Sequence, residues 1–177
     1  ITKPFSPKIL VARIEAILRR RNGVATGEIL EADGIRVDNN VITGKGLVGI
    51  VTEVGSSWAT VRSIIDDSSS VSAMTVSTSD NCIVNGDLEL IDEGKLRFEQ
   101  LYDQENKVTV GERIVTSNIS EKFVEGLFIG YVSEVEVDSN NLTKTGTIVT
   151  PVDFLHLKDV FVITVNKKDS TEEGAEE

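Results

Sequence analysis

A short sequence unit occurs twice in this chain, and each copy has the spacing of a β-strand. The copy at residues 46–54 reads Gly-Leu-Val-Gly-Ile-Val-Thr-Glu-Val, and the copy at residues 126–135 reads Gly-Leu-Phe-Ile-Gly-Tyr-Val-Ser-Glu-Val, with one residue inserted. Both place a Gly-Leu turn before a second glycine and an alternating Val-x-Glu-Val run. Such alternation is the period of a strand with one buried face. The recurrence therefore predicts two small β modules.

Period-two patterning also dominates the rest of the chain up to residue 165 and predicts a mainly β fold. Runs rich in Val, Ile and Thr, separated by Gly, Asn, Asp and Ser, predict nine short strands, at residues 47–54, 59–65, 71–77, 87–91, 107–110, 113–116, 128–137, 145–150 and 159–165. Many short strands with frequent turns are typical of sandwiches and barrels. Segment 92–106 is polar, and we expect it to join a first barrel at residues 33–100 to a second at residues 101–165.

The first 23 residues differ from this pattern and predict one amphipathic α-helix over residues 6–21. Apolar residues that include Leu10, Ile14 and Ile17 recur at helical spacing and form one stripe. Three arginines in the last turn complement the helix dipole. A helix with an apolar stripe must cover it, either by packing on a barrel or by pairing with the same helix of another copy; we favour the second, in which these residues form a dimerisation face.

Two further segments carry little structural pattern. Residues 24–32 read as a junction between the helix and the β region. Residues 166–177 contain five acids and almost no apolar residue, which is typical of a solvated, disordered tail. No run reaches the roughly 18 apolar residues of a membrane-spanning helix, and no signal peptide precedes the fold, so we expect no anchor within this chain.

Charge and cysteine content exclude several functions. The 177 residues carry a net charge of −11, although residues 1–23 hold six basic residues against one acid. An acidic body repels phosphate backbones, which argues against nucleic-acid binding. The single cysteine, Cys82, excludes an internal disulfide and a cysteine-based zinc site, and its apolar flank predicts a small core residue.

A hydrolase is the enzymatic alternative, because serine proteases can also consist of two β modules that carry a catalytic serine, histidine and aspartate. The run from Asp66 to Ser70 contains no glycine that would help to build an oxyanion hole, and it reads more simply as a turn. His156, the one histidine, lies between two leucines on the polar side of the alternation. We therefore predict no catalytic residues and no enzyme.

Metal and phosphate sites are also weighed and set aside. The pair Asp66 and Asp67 and the run 138–141 offer oxygen ligands, but neither has the alternating spacing and terminal glutamate of a calcium loop. The glycines at 44, 46 and 49 precede a strand rather than a helix, so they lack the amides of a phosphate loop. No metal or cofactor is expected.

Aromatic residues are the natural anchors if the chain works by binding other proteins. Trp58 follows a turn and is the one tryptophan; Phe123 lies in another turn-rich stretch. Because aromatic residues dominate interface energetics, we interpret Trp58 and Phe123 as candidate half-exposed contact residues.

The β region resembles the rod-shape-determining MreC family. The ordered blocks that carry the resemblance are residues 41–55, 65–73 and 110–117, then Phe123, Gly126-Leu127 and Ile129-Gly130, and finally residues 151–154 with Leu157 and Val160. The chain departs from the family pattern where a strand block usually precedes Asp33-Gly34-Ile35, and Val124 stands where proline is common. The first barrel is therefore expected to lack early strands.

The resemblance implies a function through the family. Its members carry two small β-barrels on a coiled coil and a membrane anchor, and act as scaffolds for cell elongation on the outer face of the cytoplasmic membrane. It implies protein partners, namely a penicillin-binding transpeptidase, MreD and MreB, with homodimerisation through a helix. It implies no cofactor, and membrane association only through an N-terminal anchor that this chain lacks.

Residues 1–22 resemble instead the C-terminal end of a response-regulator receiver domain. In that family the lysine of Lys-Pro-Phe, here Lys3, closes a phosphorylated aspartate pocket. The aspartate and the acidic pair that binds magnesium are not in this chain, so Lys3 is a receiver-type lysine without its pocket. The alternative function is thus a phosphorelay fragment or fusion, with a join in residues 23–33. Residues 30–37 also resemble the opening of a winged-helix regulator, but no recognition helix follows.

Overall fold

A computed structural model describes residues 31–32, 34–103, 105–139 and 142–165, and this region is almost entirely β. The strands are β1 (Glu31–Ala32), β2 (Ile35–Arg36), β3 (Asn40–Thr43), β4 (Gly46–Val54), β5 (Ala59–Ser63), β6 (Ser70–Thr75), β7 (Asn81–Asn85), β8 (Lys95–Leu101), β9 (Arg113–Thr116), β10 (Phe128–Val137), β11 (Lys144–Val149) and β12 (Phe161–Ile163), with a 3-10 turn at Ile91–Glu93. The predicted mainly β fold is confirmed. The predicted helix with Leu10, Ile14 and Ile17, Lys3 and the acidic tail all lie outside the described residues.

The strands form one closed barrel and one open sheet. Six strands close in the order β10-β11-β8-β7-β6-β9, with β9 returning to β10, and every pairing in the barrel is antiparallel. A second sheet has the order β12-β3-β4-β5, and β1 pairs with β2 alone. One hydrophobic core cluster runs through both sheets, from Val41 and Val51 in the open sheet to Phe98 and Ile148 in the barrel.

The structure divides the chain differently from the predicted boundary at residue 100. That position falls inside β8, whose Phe98 and Leu101 are buried in the barrel together with Ile114 of β9. The barrel therefore uses strands from both predicted modules, and among the described residues only one barrel closes. Strands β7 and β8 produce this difference, because they lie between β6 and β11 and complete the ring.

Five observed strands were missed, the two-residue strands β1 and β2 and the longer β3, β7 and β8, and two predicted strands are absent. β3, β7 and β8 were not predicted; in β8, Gln100 has a left-handed φ of 55° that interrupts the alternation. Residues 87–91 fold as a turn because the side chain of Asp87 accepts the N–H of Glu89. Residues 107–110 are not a strand, since the carboxylate of Asp103 takes the N–H of Val108.

The sequence repeat corresponds to a repeated structure, which we call the first unit (β3, β4 and β5) and the second unit (β9, β10 and β11). In the first unit the register between β4 and β5 shifts between Val51 and Glu53. In the second unit the register between β10 and β11 shifts between Val132 and Glu134. These are equivalent positions of the two sequence copies, so the same β-bulge bends both hairpins.

Side chains around the two bulges are also equivalent. In the first unit the hydroxyl of Thr60 donates to Glu53 at 3.5 Å. In the second unit the hydroxyl of Thr147 donates to Glu134 at 3.3 Å. The bulged residue is Thr in one unit and Ser133 in the other, and both place a hydroxyl near the facing strand. The units therefore share local polar contacts as well as topology.

The turn that leads into each unit is the third shared feature. Asp38 donates its backbone N–H to Val51 at 2.9 Å, and Gly111 donates to Val132 at 2.7 Å. Both residues have a left-handed φ, 69° for Asp38 and 91° for Gly111. Aspartate tolerates this conformation better than most residues, which explains how an aspartate and a glycine occupy equivalent positions.

A polar clamp joins the two units. The amide group of Asn40, on β3, accepts the N–H of Val124 at 2.7 Å and donates to the carbonyl of Lys122 at 2.9 Å. Asn40 is 1% exposed, so these bonds satisfy a buried amide. They fix the loop between β9 and β10 against β3 of the first unit.

We predict that Gly130→Ala destabilises the protein by about 1–3 kcal/mol, the usual range for overpacking. A Cβ at Gly130 would overlap the carbonyl oxygen of Val149 on the paired strand, and Gly49 meets Arg62 in the same way in the first unit. Urea unfolding measures the change as a lower midpoint at constant slope. Gly44→Ala, where a Cβ has nothing within 4 Å, is the control. Equal midpoints for the two variants would contradict the proposed close approach.

Candidate protein-interaction surface

The candidate catalytic groups are not assembled into a site. The ring Nδ1 of His156 lies 2.9 Å from a carboxylate oxygen of Asp153, three residues earlier on an exposed turn. Asp66 instead accepts bonds from the backbone and hydroxyl of Ser68, as predicted for a turn. Within the described ranges the hydrogen bonds of His156 go to Asp153, and the imidazole is bonded to that carboxylate rather than to a serine.

The residues considered as metal or phosphate ligands instead support the local backbone conformation. The carboxylate of Asp138 accepts the N–H of Ser139 at 2.6 Å and lies in the connection between β10 and β11, as predicted. No group of three or more His, Cys, Asp or Glu residues that could hold a metal is found in the described part of the chain. Gly46 and Gly49 lie in β4, where Gly49 lets β5 approach closely.

The two candidate aromatic anchors have different environments. Trp58 is 46% exposed and its ring covers Gly55 in the turn between β4 and β5. Phe123 is 5% exposed and belongs to the core, so the expectation of a half-exposed Phe123 is wrong. The two hydrogen bonds of Asn40 fix the backbone on either side of Phe123 and so keep its ring in the core. Cys82 is a core residue as predicted, and burial raises the pKa of its thiol to about 12.

One surface feature of the described residues surrounds Tyr102, at the end of β8. Three adjoining clefts of about 520, 450 and 400 Å³ all include this residue in their walls. Tyr102 is 53% exposed, and Ile119 and Leu142, each in a different cleft, are also exposed. An exposed aromatic ring between the exposed apolar side chains of Ile119 and Leu142, beside a cleft lined mostly by polar and charged residues, has the mixed composition of a protein-binding surface. We call this region the Tyr102 surface.

Backbone strain and an unsatisfied hydroxyl concentrate in the 400 Å³ cleft of the Tyr102 surface. Ser79 and Gln100 line this cleft, and both have a left-handed φ, 59° and 55°. The hydroxyl of Ser117, which lines the same cleft, is buried and without a hydrogen-bond partner. Strained non-glycine residues and unsatisfied buried polar groups are both uncommon. Their coincidence favours a functional role for this cleft.

A buried ion pair holds the base of the Tyr102 surface in place. The carboxylate of Asp103 accepts the N–H groups of Lys107 and Val108, each at 2.9 Å, and the ammonium of Lys144 at 2.6 Å. Burial alone would raise the pKa of Asp103, but the bond from Lys144, the two backbone bonds and the charge of Lys144 together lower it. Asp103 thus fastens the chain after β8 to β11.

The side of the barrel carries a smaller aromatic group. The rings of Phe128 and Tyr131 pack edge to face with centroids 5.1 Å apart, and the guanidinium of Arg113 lies 5.1 Å from the centre of the Phe128 ring. Tyr131 is 44% exposed. Its contact with Phe128 covers one side of the ring.

Sequence reasoning missed the Tyr102 surface. Tyr102 lies in the polar segment 92–106 that was interpreted as a joining stretch, and Ile119 and Leu142 are isolated apolar residues in turns. The one sequence feature that could have indicated this surface is the occurrence of single apolar residues among Ser, Asn and Asp. They do not indicate by themselves that three distant segments meet at one end of a barrel.

These features define a class of protein: two related β units, one closed as a barrel, with surface clefts and without an assembled catalytic group among the described residues. The family model described as "Rod shape-determining protein MreC, barrel core" matches residues 31–164. The chain therefore belongs to the MreC family, and the resemblance inferred from its sequence blocks is confirmed.

The curated relatives show two separate similarities. The cell shape-determining protein MreC of Listeria monocytogenes is 33% identical over 150 residues, which is 81% of this chain and 47% of the relative. The phosphate regulon regulatory protein PhoB of Escherichia coli is 55% identical over 38 residues, 22% of this chain and 17% of PhoB. The chain spans less than half the length of each. The PhoB match fits the receiver-like segment and is longer than the 22 residues expected.

Solved structures agree with the fold. An MreC structure from Listeria monocytogenes is 38% identical, with a TM-score of 0.63 over 73% of this chain and 62% of that chain. The MreC in a complex with penicillin-binding protein PBP2 from Helicobacter pylori has a TM-score of 0.55 at 16% identity, over 70% of this chain and 74% of that one. The major periplasmic domain of an MreC filament protein has a TM-score of 0.60 at 23% identity, covering 72% and 76%. The last two support the fold alone.

We predict that Asp103→Asn lowers the free energy of unfolding at pH 7 by about 3 kcal/mol, since it leaves Lys144 buried without its partner. The folded pKa of Asp103 is lowered, so its stabilisation is fully present above the unfolded value of about 3.9 and is lost as the pH falls through the folded pKa. The difference between wild type and variant should therefore shrink below about pH 4.

Urea unfolding from pH 7 to pH 2 measures this difference. Asp92→Asn, at an exposed carboxylate of the 3-10 turn, controls for the change in net charge. A difference between wild type and Asp103→Asn that stays constant down to pH 2 would show that the ion pair does not stabilise the fold.

Proposed function

We propose that this chain is the barrel core of a non-catalytic scaffold that helps to determine cell shape during cell-wall elongation. The observation that carries the proposal is the match of residues 31–164 to the MreC barrel core. The separation of His156 from any serine supports a role without turnover. No helix in the described region is long and apolar enough to cross a membrane.

The proposed partner is a penicillin-binding transpeptidase of the peptidoglycan synthesis machinery. Support comes from the MreC that was solved in complex with PBP2 in Helicobacter pylori. An MreC domain of similar fold is described as periplasmic, which supports a site of action on the outer face of the cytoplasmic membrane. MreD, MreB and a homodimer through Leu10, Ile14 and Ile17 stay predictions.

The Tyr102 surface is the proposed contact region for the transpeptidase. Its exposed ring has apolar neighbours, and the ion pair of Asp103 and Lys144 fixes the backbone beneath it at little further entropic cost on binding. Acidic residues surround the clefts, including Asp80 and Glu105. We expect them to favour a basic patch on the partner and to contribute specificity and association rate.

We predict that Tyr102→Ala weakens binding of the full chain to the PBP2-type transpeptidase of the same organism by at least tenfold. Truncating a central aromatic residue of an interface usually costs more than 1 kcal/mol, which approaches a tenfold change. Isothermal titration calorimetry with the purified transpeptidase measures the affinity. Tyr131→Ala is the matched control, since it removes the other tyrosine, of similar exposure but on the side of the barrel.

A twofold or smaller effect of Tyr102→Ala, with intact folding shown by thermal unfolding, would move the contact away from this surface. A larger effect of Tyr131→Ala than of Tyr102→Ala would indicate that the transpeptidase contacts the side of the barrel instead. Absence of any binding by the wild-type chain would remove the transpeptidase as its direct partner.

The alternative function, a phosphorelay fragment, is favoured by one observation: the 38-residue similarity to PhoB. Phosphorylation would need an acceptor aspartate held by Lys3 and an acidic pair, and the described residues contain no such acidic cluster. We predict that acetyl phosphate with magnesium leaves the mass of the chain unchanged by intact-protein mass spectrometry. A stoichiometric gain of one phosphoryl group would favour the phosphorelay reading.

A further inference from the structure

The loop between β9 and β10, residues 117–127, forms part of the Tyr102 surface. Ser117 and Ile119 of this loop both line the 400 Å³ cleft. The side chain of Ile119 is 62% exposed, so a partner that fills the cleft would contact it. The loop begins on the barrel, because Ser117 donates its N–H to the carbonyl of Ser72 of β6 at 3.0 Å. The shape of the cleft therefore depends on where the rest of the loop holds Ile119.

The middle of this loop is bonded to the first unit. The side-chain amide of Asn40 accepts the N–H of Val124 at 2.7 Å and donates to the carbonyl of Lys122 at 2.9 Å. The residue between them, Phe123, is buried in the core. Because Asn40 is itself almost fully buried, water does not compete for its amide, and the two bonds are stronger than they would be at the surface. The first unit thus fixes the backbone on both sides of Phe123.

The hydroxyl of Ser120 connects this fixed backbone to Ile119, the preceding residue. It accepts the N–H of Lys122 at 3.2 Å and the N–H of Phe123 at 3.0 Å. Lys122 is one of the two residues that Asn40 bonds, and Phe123 lies between them. A contiguous series of contacts therefore leads from Asn40 through Lys122 and Ser120 to Ile119, and such series can carry coupling between distant positions.

The end of the loop is held by the second unit alone. The hydroxyl of Thr116, the last residue of β9, accepts the N–H of Leu127 at 2.8 Å and donates to the carbonyl of Val124. The backbone carbonyl of Thr116 also accepts the N–H of Gly126 at 2.9 Å. Val124 is therefore bonded to both units, by its carbonyl to Thr116 and by its N–H to Asn40. The bonds of Thr116 do not involve the first unit, so they fix the end of the loop rather than the part that carries Ile119.

We propose that Asn40 is a positioning residue for the Tyr102 surface: through its amide the first unit holds the loop so that Ile119 lines the cleft, and the affinity for the partner depends on this contact between the units. The inference rests on the proposed binding of the transpeptidase at the Tyr102 surface. Asn40 is too buried to touch the partner and acts through Ile119. By linkage, a partner that contacts Ile119 also stabilises the bonds of Asn40 to the loop.

The first test uses NMR of the full chain without a partner. Asn40→Ala should speed amide exchange of Val124 about tenfold, the effect of losing one hydrogen bond, and should shift the methyl signals of Ile119. Thr147 of β11 should not change. The matched control is Asn39→Ala, which removes the neighbouring buried asparagine, whose side chain accepts the N–H of Arg36 at 2.6 Å; it should leave the Ile119 signals in place. Ser120→Ala leaves the buried strand intact and should shift the Ile119 signals even if Asn40→Ala does not fold.

The second test measures the affinity for the purified PBP2-type transpeptidase by isothermal titration calorimetry. Asn40→Ala should weaken binding about fivefold, the low end of the usual range for coupled sites, and Asn39→Ala should leave the affinity unchanged. The double variant Asn40→Ala/Ile119→Ala should bind no more weakly than Ile119→Ala alone, because the effect of Asn40 passes through Ile119. A role of Asn40 in overall stability would instead give additive losses.

The two tests separate a failure of this inference from a failure of the proposed function. Unchanged Ile119 signals in both Asn40→Ala and Ser120→Ala would overturn the positioning role, whether or not the transpeptidase binds. Additive losses in the double variant, or an equal loss in Asn39→Ala, would overturn it as well. If Tyr102→Ala weakens binding tenfold and Asn40→Ala does not weaken it, the Tyr102 surface remains the contact region and this inference is wrong. If the wild-type chain binds no transpeptidase, the proposed partner is wrong, and the NMR comparison alone decides whether Asn40 positions Ile119.

Discussion

Each unit depends on the way its long strand approaches the next strand. A glycine, Gly49 in one unit and Gly130 in the other, lets the paired backbone come so close that a Cβ would meet a carbonyl oxygen. Two or three residues later a bulge shifts the register. A bulge increases the twist of a strand pair and bends it, and a small barrel needs such bends to close. Curvature of the β region is therefore encoded locally, in a glycine and a bulged hydroxyl residue.

The sequence correctly predicted the strands whose conformation depends on these local features, the glycine and the bulge. The repeated strands were predicted within one residue of β4 and at the observed bounds of β10, because both alternate strongly and begin after a Gly-Leu turn. Strands β7 and β8 were not recovered. β7 is short, and β8 is interrupted at Gln100, where the left-handed backbone moves Leu101 to the inner face. The incorrect boundary at residue 100 followed from missing these two strands.

The interaction surface was less predictable than the fold, for a physical reason. Trp58 and Phe123 were chosen as aromatic residues in turn-rich sequence, and one of them is covered by the core. Burial of Phe123 depends on Asn40, 83 residues away, whose amide binds the backbone on either side of the ring. The Tyr102 surface likewise needs segments around Ile119 and Leu142 that meet only in three dimensions. Local patterns carry no information about such contacts.

The barrel and the open sheet differ mainly in one inserted element, and the Tyr102 surface follows from it. β7 and β8 lie between β6 and β11 in the barrel, and the described first unit has no counterpart between β12 and β5. Where the pair is present, the end of β8 presents Tyr102 and the strained Gln100, beside clefts. Where it is absent, β5 pairs with β4 and with no other described strand. A duplicated β unit can thus support two unlike surfaces without changing its bulged hairpin, because the hairpin sets the curvature and the inserted strands decide which clefts form.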